Sequence, residues 1–133
     1  MINRTLIRLK IVQLVYSYYQ NGGKNIDSAE KELLFSLSKA YDLYNYLLML
    51  IIAVTRFAEE QVERQERNNK ISHSDQVVNR RFAENLFVQQ LEVNKQLIDF
   101  KETQKKSWDN DKDYIKSLYN KIVTSDIYKE YMS

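Results

Sequence analysis

The chain has 133 residues, a net charge of only +2, two glycines and no proline or cysteine. Its length suffices for one domain with a core, and the absence of cysteine excludes disulfides, thiolate metal sites and cysteine nucleophiles. Because sheet proteins need many turns, the shortage of glycine and proline predicts an all-α fold. With no cysteine and no signal-peptide pattern at the start, we expect a cytoplasmic protein.

Basic residues are concentrated at the beginning of the chain. Residues 1–24 contain Arg4, Arg8, Lys10 and Lys24 and no acid, a charge of +4, so the remaining residues carry −2. A basic segment on a slightly acidic body suggests an anionic partner for the N-terminus. A solvated helix end with a chance run of bases explains the same charges equally well.

The first helix is predicted over residues 2–20, from Ile2 to an Asn-Gly-Gly stop at 21–23. At about 100° per residue, Lys10 and Gln13 fall on one polar face. Arg4 and Arg8 are one turn apart and lie on a different side. The three bases therefore do not form one compact patch on an ideal helix.

A long second helix is predicted from a capping box, Asp27 with Glu30, to an Asn-Asn pair at 68–69. Its central part, about 41–57, contains the uncharged run 44–54, whose apolar residues surround the helix. Such a helix is buried in a bundle or spans a membrane, and this run is shorter than the ~20 residues that spanning requires. We expect it to be the central helix of a bundle, with a bend or short break near residues 38–42.

The second half of the chain predicts further helices, for a total of about five to seven. A polar linker at 68–78 contains the only histidine, His73, with no second metal ligand nearby. A helix is expected over 80–105 with a bend at 93–94, followed by a turn at 107–110 for which Trp108 is the core anchor. A helix over 111–124 and a short helix after residue 125 complete the chain.

These patterns predict a helical half at 1–67 and a helical extension at 68–133 that packs on it to form one compact domain. The apolar residues near Ser133 suggest that the natural protein continues beyond this chain. The sequence has no glycine-rich phosphate loop, paired His/Glu helix motif or nucleophile elbow. We therefore expect no catalytic residues, metal site, cofactor or enzyme activity.

Residues 3–16, NRTLIRLKIVQLVY, resemble the first helix of the NusB family of transcription antitermination factors. Val12, Gln13 and Tyr16 match the family segment, and Arg4 and Arg8 fall at basic positions of its arginine-rich start. Residues 41–55 resemble the family's long third helix, and those from about 70 resemble the extension of longer members. The arginine run is thinner here, with Thr5 and Leu6 at positions where the family often has bases.

The resemblance implies an all-helical RNA-binding factor in transcription antitermination or termination. Its implied partners are boxA-like single-stranded RNA, the ribosomal protein NusE and the antitermination complex of RNA polymerase. The implied RNA-binding residues are Arg4, Arg8, Lys10 and Tyr16, with Gln13 reading a base edge or making only a helix contact.

The alternative is a helical protein–protein interaction module without independent RNA binding, for which a homodimer is one form. Neither reading involves a membrane.

Overall fold

A computed structural model describes residues 3–23 and 25–133. The predicted helix start at Ile2 and the base Lys24 lie outside this part of the chain. Over the described residues the protein is all-α, as predicted, with six helices and no strand. The helices are α1 (Arg4–Gln20), α2 (Ile26–Ile71), α3 (Leu86–Glu92), α4 (Lys95–Gln104), α5 (Lys112–Thr124) and α6 (Asp126–Met132).

The chain divides into two compact units, Met1–Asn45 and Tyr46–Ser133. Helix α2 contributes its first part to one unit and its second part to the other. The predicted division into 1–67 and 68–133 remains a prediction.

The first unit is a helical hairpin formed by α1 and the beginning of α2. Its turn has left-handed backbone at Gly22 (φ 83°) and Gly23 (φ 59°), which glycine adopts without steric cost. The Gly23 amide donates to the Tyr18 carbonyl at 2.8 Å, and the Tyr18 hydroxyl donates to the Gly23 carbonyl at 2.6 Å. The predicted Asn-Gly-Gly stop thus ends α1.

Helix α2 differs from the prediction at its start. It begins at Ile26, and the Asn25 side chain accepts a hydrogen bond from the Ser28 amide at 3.1 Å. Asn25 therefore has the capping role that we predicted for Asp27, which lies inside the first turn. An asparagine oxygen serves as well as a carboxylate at this position.

The break expected near residues 38–42 is absent, and α2 is one continuous helix. Two of the polar residues there are accommodated within the helix. The Ser38 hydroxyl donates to the Phe35 carbonyl at 2.7 Å, and Lys39 pairs with Asp42 at 2.8 Å. These side-chain bonds are local, and the helix remains continuous through them.

The second unit contains the buried core. Met49 of α2 packs with Leu97 and Phe100 of α4, and Trp108 covers this cluster from the turn before α5. Val54 and Ala58 continue the buried side of α2. The shorter helices of this unit pack around the predicted central helix. Leu47 and Ile51 of that helix remain exposed.

The shorter helices follow the predicted pattern, with two differences in the helix expected over 80–105. The bend expected at 93–94 is a full break, because Asn94 caps a new helix by accepting from the Leu97 amide at 3.1 Å. The helix start predicted at residue 80 is also wrong, because residues 81–84 are turns and α3 begins at Leu86 after the Asn85 cap. Ser125 likewise caps α6, at the predicted position.

Candidate nucleic-acid interface

The start of α1 is an electropositive helix end. Asn3 caps it by accepting from the Leu6 amide at 2.8 Å, so Arg4 occupies the first turn. Helices α2, α5 and α6 have an aspartate in their first turn, whereas α1, like α3 and α4, has no acid there. A helix N-terminus carries partial positive charge, and an arginine beside it adds to that charge. Both features favour an anionic partner.

One side of α1 is exposed to solvent along its whole length. The charged, apolar and aromatic members of this outer face are Arg4, Arg8, Leu9, Val12, Val15, Tyr16 and Tyr19. Val12 is 66% exposed and Tyr19 is 75% exposed, although both are apolar or aromatic. The outer face therefore combines two cations with a contiguous apolar and aromatic surface.

Arg4 and Arg8 occupy one end of the outer face. They are one helical turn apart, or about 6 Å along the helix axis. Within residues 3–23 and 25–133, neither arginine forms an ion pair. Since α1 contains no acid, these guanidinium groups have no anionic neighbour on their own helix.

Other arginines of the chain are engaged differently. Arg56 donates to Glu59 and Glu92, and these hydrogen bonds raise the pKa of its guanidinium. Arg80 pairs with Glu66 at 2.8 Å and with Glu84 at 2.6 Å. The paired glutamates therefore neutralise the charges of Arg56 and Arg80.

Arg81, which follows Arg80 in the sequence, lies over the Tyr131 ring at 4.8 Å. This pair shows a cation–π contact in the chain itself.

Lys10 and Gln13 are placed apart from the two arginines. Both line a groove between α1 and the beginning of α2, together with Leu14, Ser17 and Glu32. Lys10 is half-buried there and has an acidic residue in the same groove. Of the five residues expected to bind RNA, the structure brings Arg4, Arg8 and Tyr16 together on the outer face and leaves Lys10 and Gln13 in the groove.

Three tyrosines at core spacing along α1 and α2 are exposed. Tyr16, Tyr41 and Tyr44 are each about half exposed or more. Their spacing is correct for a buried stripe, but a two-helix hairpin covers only one side of each helix, and no residue of α1 is buried. Tyr19 was not among the expected site residues, although its position on the side of Arg4 and Arg8 could have suggested it.

Trp108 does not offer a free ring. Its Nε1–H donates to the Tyr46 carbonyl at 3.0 Å, and the ring stacks on Tyr46 at 4.3 Å and on Tyr114 at 5.9 Å. Two neighbouring rings and a carbonyl thus contact the indole, which agrees with the core role expected from the sequence.

In the part of the chain that the structure describes, no group of three or more histidine, cysteine or acidic residues could hold a metal ion. Helix α2 is long and apolar enough to cross a membrane by length and composition alone. That is weak evidence, because the core helix of a globular protein passes the same test.

Comparison with known proteins adds no relative. No protein-family model, curated protein or solved structure matches the chain.

Proposed function

We propose that this chain is an RNA-binding module of NusB type that acts in transcription antitermination or termination. In this proposal, the outer face of α1 binds boxA-like single-stranded RNA. The observation that carries the proposal is the pair Arg4 and Arg8, two exposed cations one turn apart at a helix N-terminus without an acid on the same helix. The resemblance of residues 3–16 to the family's first helix, which also includes Val12, Gln13 and Tyr16, supports the same proposal.

The chemistry of the outer face suits single-stranded RNA. Phosphate contacts from arginine supply affinity, and unstacked bases bind to exposed aromatic rings. In this proposal Arg4 and Arg8 contact phosphates, and Tyr16 stacks on a base, with Tyr19 as a second ring. Lys10 and Gln13 contact RNA only where the strand passes over the groove beside α2.

Cellular partners and location follow from the same resemblance and are also proposed. They are the ribosomal protein NusE, the antitermination complex of RNA polymerase and the cytoplasm. The proposal includes no enzyme activity.

The test compares two double variants that remove the same charge. Arg4→Ala with Arg8→Ala should weaken binding to a boxA-like RNA about tenfold or more, because two phosphate contacts are lost. Arg64→Ala with Arg67→Ala is the matched control, since these arginines lie in an acid-rich part of α2 and Arg67 is near Glu63. Fluorescence anisotropy with labelled RNA measures both. Equal affinities for the two variants would contradict the assignment of the site.

A second candidate function is a helical protein–protein interaction module without RNA binding of its own. It is favoured by the number of exposed apolar side chains on the outer face, such as Leu9, Val12 and Val15. Contiguous apolar patches on a protein surface mark interaction sites. This candidate predicts a stable complex with NusE in the absence of RNA, measured by size-exclusion chromatography. Binding of the chain to RNA but not to NusE would exclude this second candidate.

A further inference from the structure

The second unit contains a cavity of about 310 Å³, lined by residues of α2, α4, α5 and the turn before α5. Its floor is apolar and includes Met49 and Ile115, which are buried, and Ile52 and Trp108, which are half-buried. Small-molecule sites are concave and mostly apolar, with a small number of polar groups, and begin at about 300 Å³. The size and the lining of this cavity are therefore those of a site for a small molecule.

The rim of the cavity has charges of both signs. Four exposed side chains form it, two of them cationic and two acidic, namely Lys101, Lys112, Glu60 and Asp109. Over the described chain, residues 3–23 and 25–133, none of the four forms an ion pair with another residue. The opposite charges of the rim are thus held apart, although they line the same cavity.

The balance of these charges indicates the kind of ligand. Arg56 also lines the cavity, but Glu59 and Glu92 neutralise its charge. The remaining charges of the rim sum to zero, so the rim gives no overall attraction to a simple anion or a simple cation. A ligand with one charge of each sign can place both beside groups of opposite charge.

We infer that this cavity binds a free amino acid with a large apolar side chain. The side chain of the ligand lies against the floor beside Trp108, where its burial contributes affinity. The carboxylate accepts hydrogen bonds from the ammonium groups of Lys101 and Lys112, and the ammonium group donates to Asp109 and Glu60. Such charge-assisted hydrogen bonds are stronger than neutral ones.

Trp108 reports the occupancy of the cavity, because it is the only tryptophan of the chain and lines the site. L-phenylalanine is a suitable probe, since it does not absorb at the wavelengths that excite tryptophan alone. The emission of Trp108 should change saturably as L-phenylalanine is added. Half-saturation is expected at about 10 mM or below for a ligand of about 12 non-hydrogen atoms. Absence of a saturable change would overturn the inference.

Two analogues of L-phenylalanine each lack one of its charges. Phenylpropionate has no ammonium group and phenylethylamine has no carboxylate, whereas both retain the ring. Each should bind at least about fivefold more weakly than L-phenylalanine, because one set of charge-assisted hydrogen bonds is lost. An analogue that binds as tightly as L-phenylalanine would contradict recognition of both charges, and with it the inference.

The double variant Lys101→Gln, Lys112→Gln removes both cations of the rim. It should weaken binding of L-phenylalanine about fivefold or more, whereas phenylethylamine, which has no carboxylate, should bind at least as well as before. The matched control is Lys95→Gln with Lys116→Gln, since these exposed lysines are on the same two helices but do not line the cavity. Equal weakening by the two double variants would refute the site.

Urea unfolding gives a second, independent measurement. A ligand that binds only the folded chain stabilises it, so saturating L-phenylalanine should raise the unfolding midpoint of the natural chain. An unchanged midpoint would overturn the inference. These outcomes do not bear on the proposed function, because α1 belongs to the first unit and the cavity to the second.

Discussion

At the scale of single residues, the same residue type has different roles according to its neighbours. Arg56 and Arg80 are held by pairs of glutamates, whereas Arg4 and Arg8 have no acid on their helix. The sequence already showed this difference for α1, because an acid-free stretch can be read directly. It did not show that Arg80 pairs with Glu66, because that contact joins residues 14 apart through the loop after α2.

Trp108 is predicted to stabilise the second unit through both its ring and its N–H. Trp108→Ala should lower the free energy of unfolding by about 3 kcal/mol, because the stacked contacts with Tyr46 and Tyr114 are lost. Trp108→Phe retains a ring but loses the hydrogen bond to the Tyr46 carbonyl, and should cost about 1 kcal/mol. Urea unfolding followed by circular dichroism measures both. An alanine variant as stable as the natural chain would refute this role.

The Tyr119 and Tyr128 pair predicts a loss of stability in alkali. Burial raises the pKa of both phenols above the usual 10.0, and the neighbouring Tyr119 raises that of Tyr128 further. The unfolded chain therefore releases these protons at lower pH than the folded chain. Stability is unaffected below pH 10 and falls as the pH rises through the folded pKa values.

Tyr128→Phe removes one of the two shifted groups, so its stability should fall less steeply above about pH 10 than that of the natural chain. Unfolding midpoints at several pH values measure this. Tyr16→Phe, at an exposed position, is the control for loss of a hydroxyl. Identical slopes for Tyr128→Phe and the natural chain would contradict the prediction.

At the scale of elements, local signals in the sequence predicted helices and most of their ends. The Asn-Gly-Gly stop and the Ser125 cap were found because their chemistry is local. The continuity of α2 through residues 38–42 was missed, since the polar residues there bond within the helix. Exposure of Tyr16, Tyr41 and Tyr44 could not be predicted from spacing, because spacing shows that residues share a side but not whether another element covers it.

The turn of the first hairpin is predicted to require a residue that tolerates positive φ. Gly22 has φ 83°, so Gly22→Val should lower the free energy of unfolding by about 1–2 kcal/mol. Gly22→Asn should lower it clearly less, because asparagine adopts left-handed backbone more readily. Loss of helical signal on urea titration measures the difference. Equal costs for the two variants would mean that the turn rearranges.

At the scale of the whole molecule, the all-α class was predictable because composition alone excludes a turn-rich sheet protein. The expected RNA site was predictable only in part. Arg4, Arg8 and Tyr16 share an exposed face, whereas Lys10 and Gln13 face the groove beside α2, whose position depends on the hairpin. The apolar extent of the outer face was also not predicted, since it depends on which side of α1 the hairpin leaves uncovered.

The central claim is that the outer face of α1 recognises single-stranded RNA, and salt dependence tests it most directly. We would measure the affinity of the natural chain for a boxA-like RNA and for a scrambled RNA at two salt concentrations. The account predicts tighter binding to the boxA-like RNA and a decrease in affinity with salt, by a logarithmic slope of about −0.7 for each phosphate contact. Absence of binding to either RNA at the lower salt concentration would contradict it.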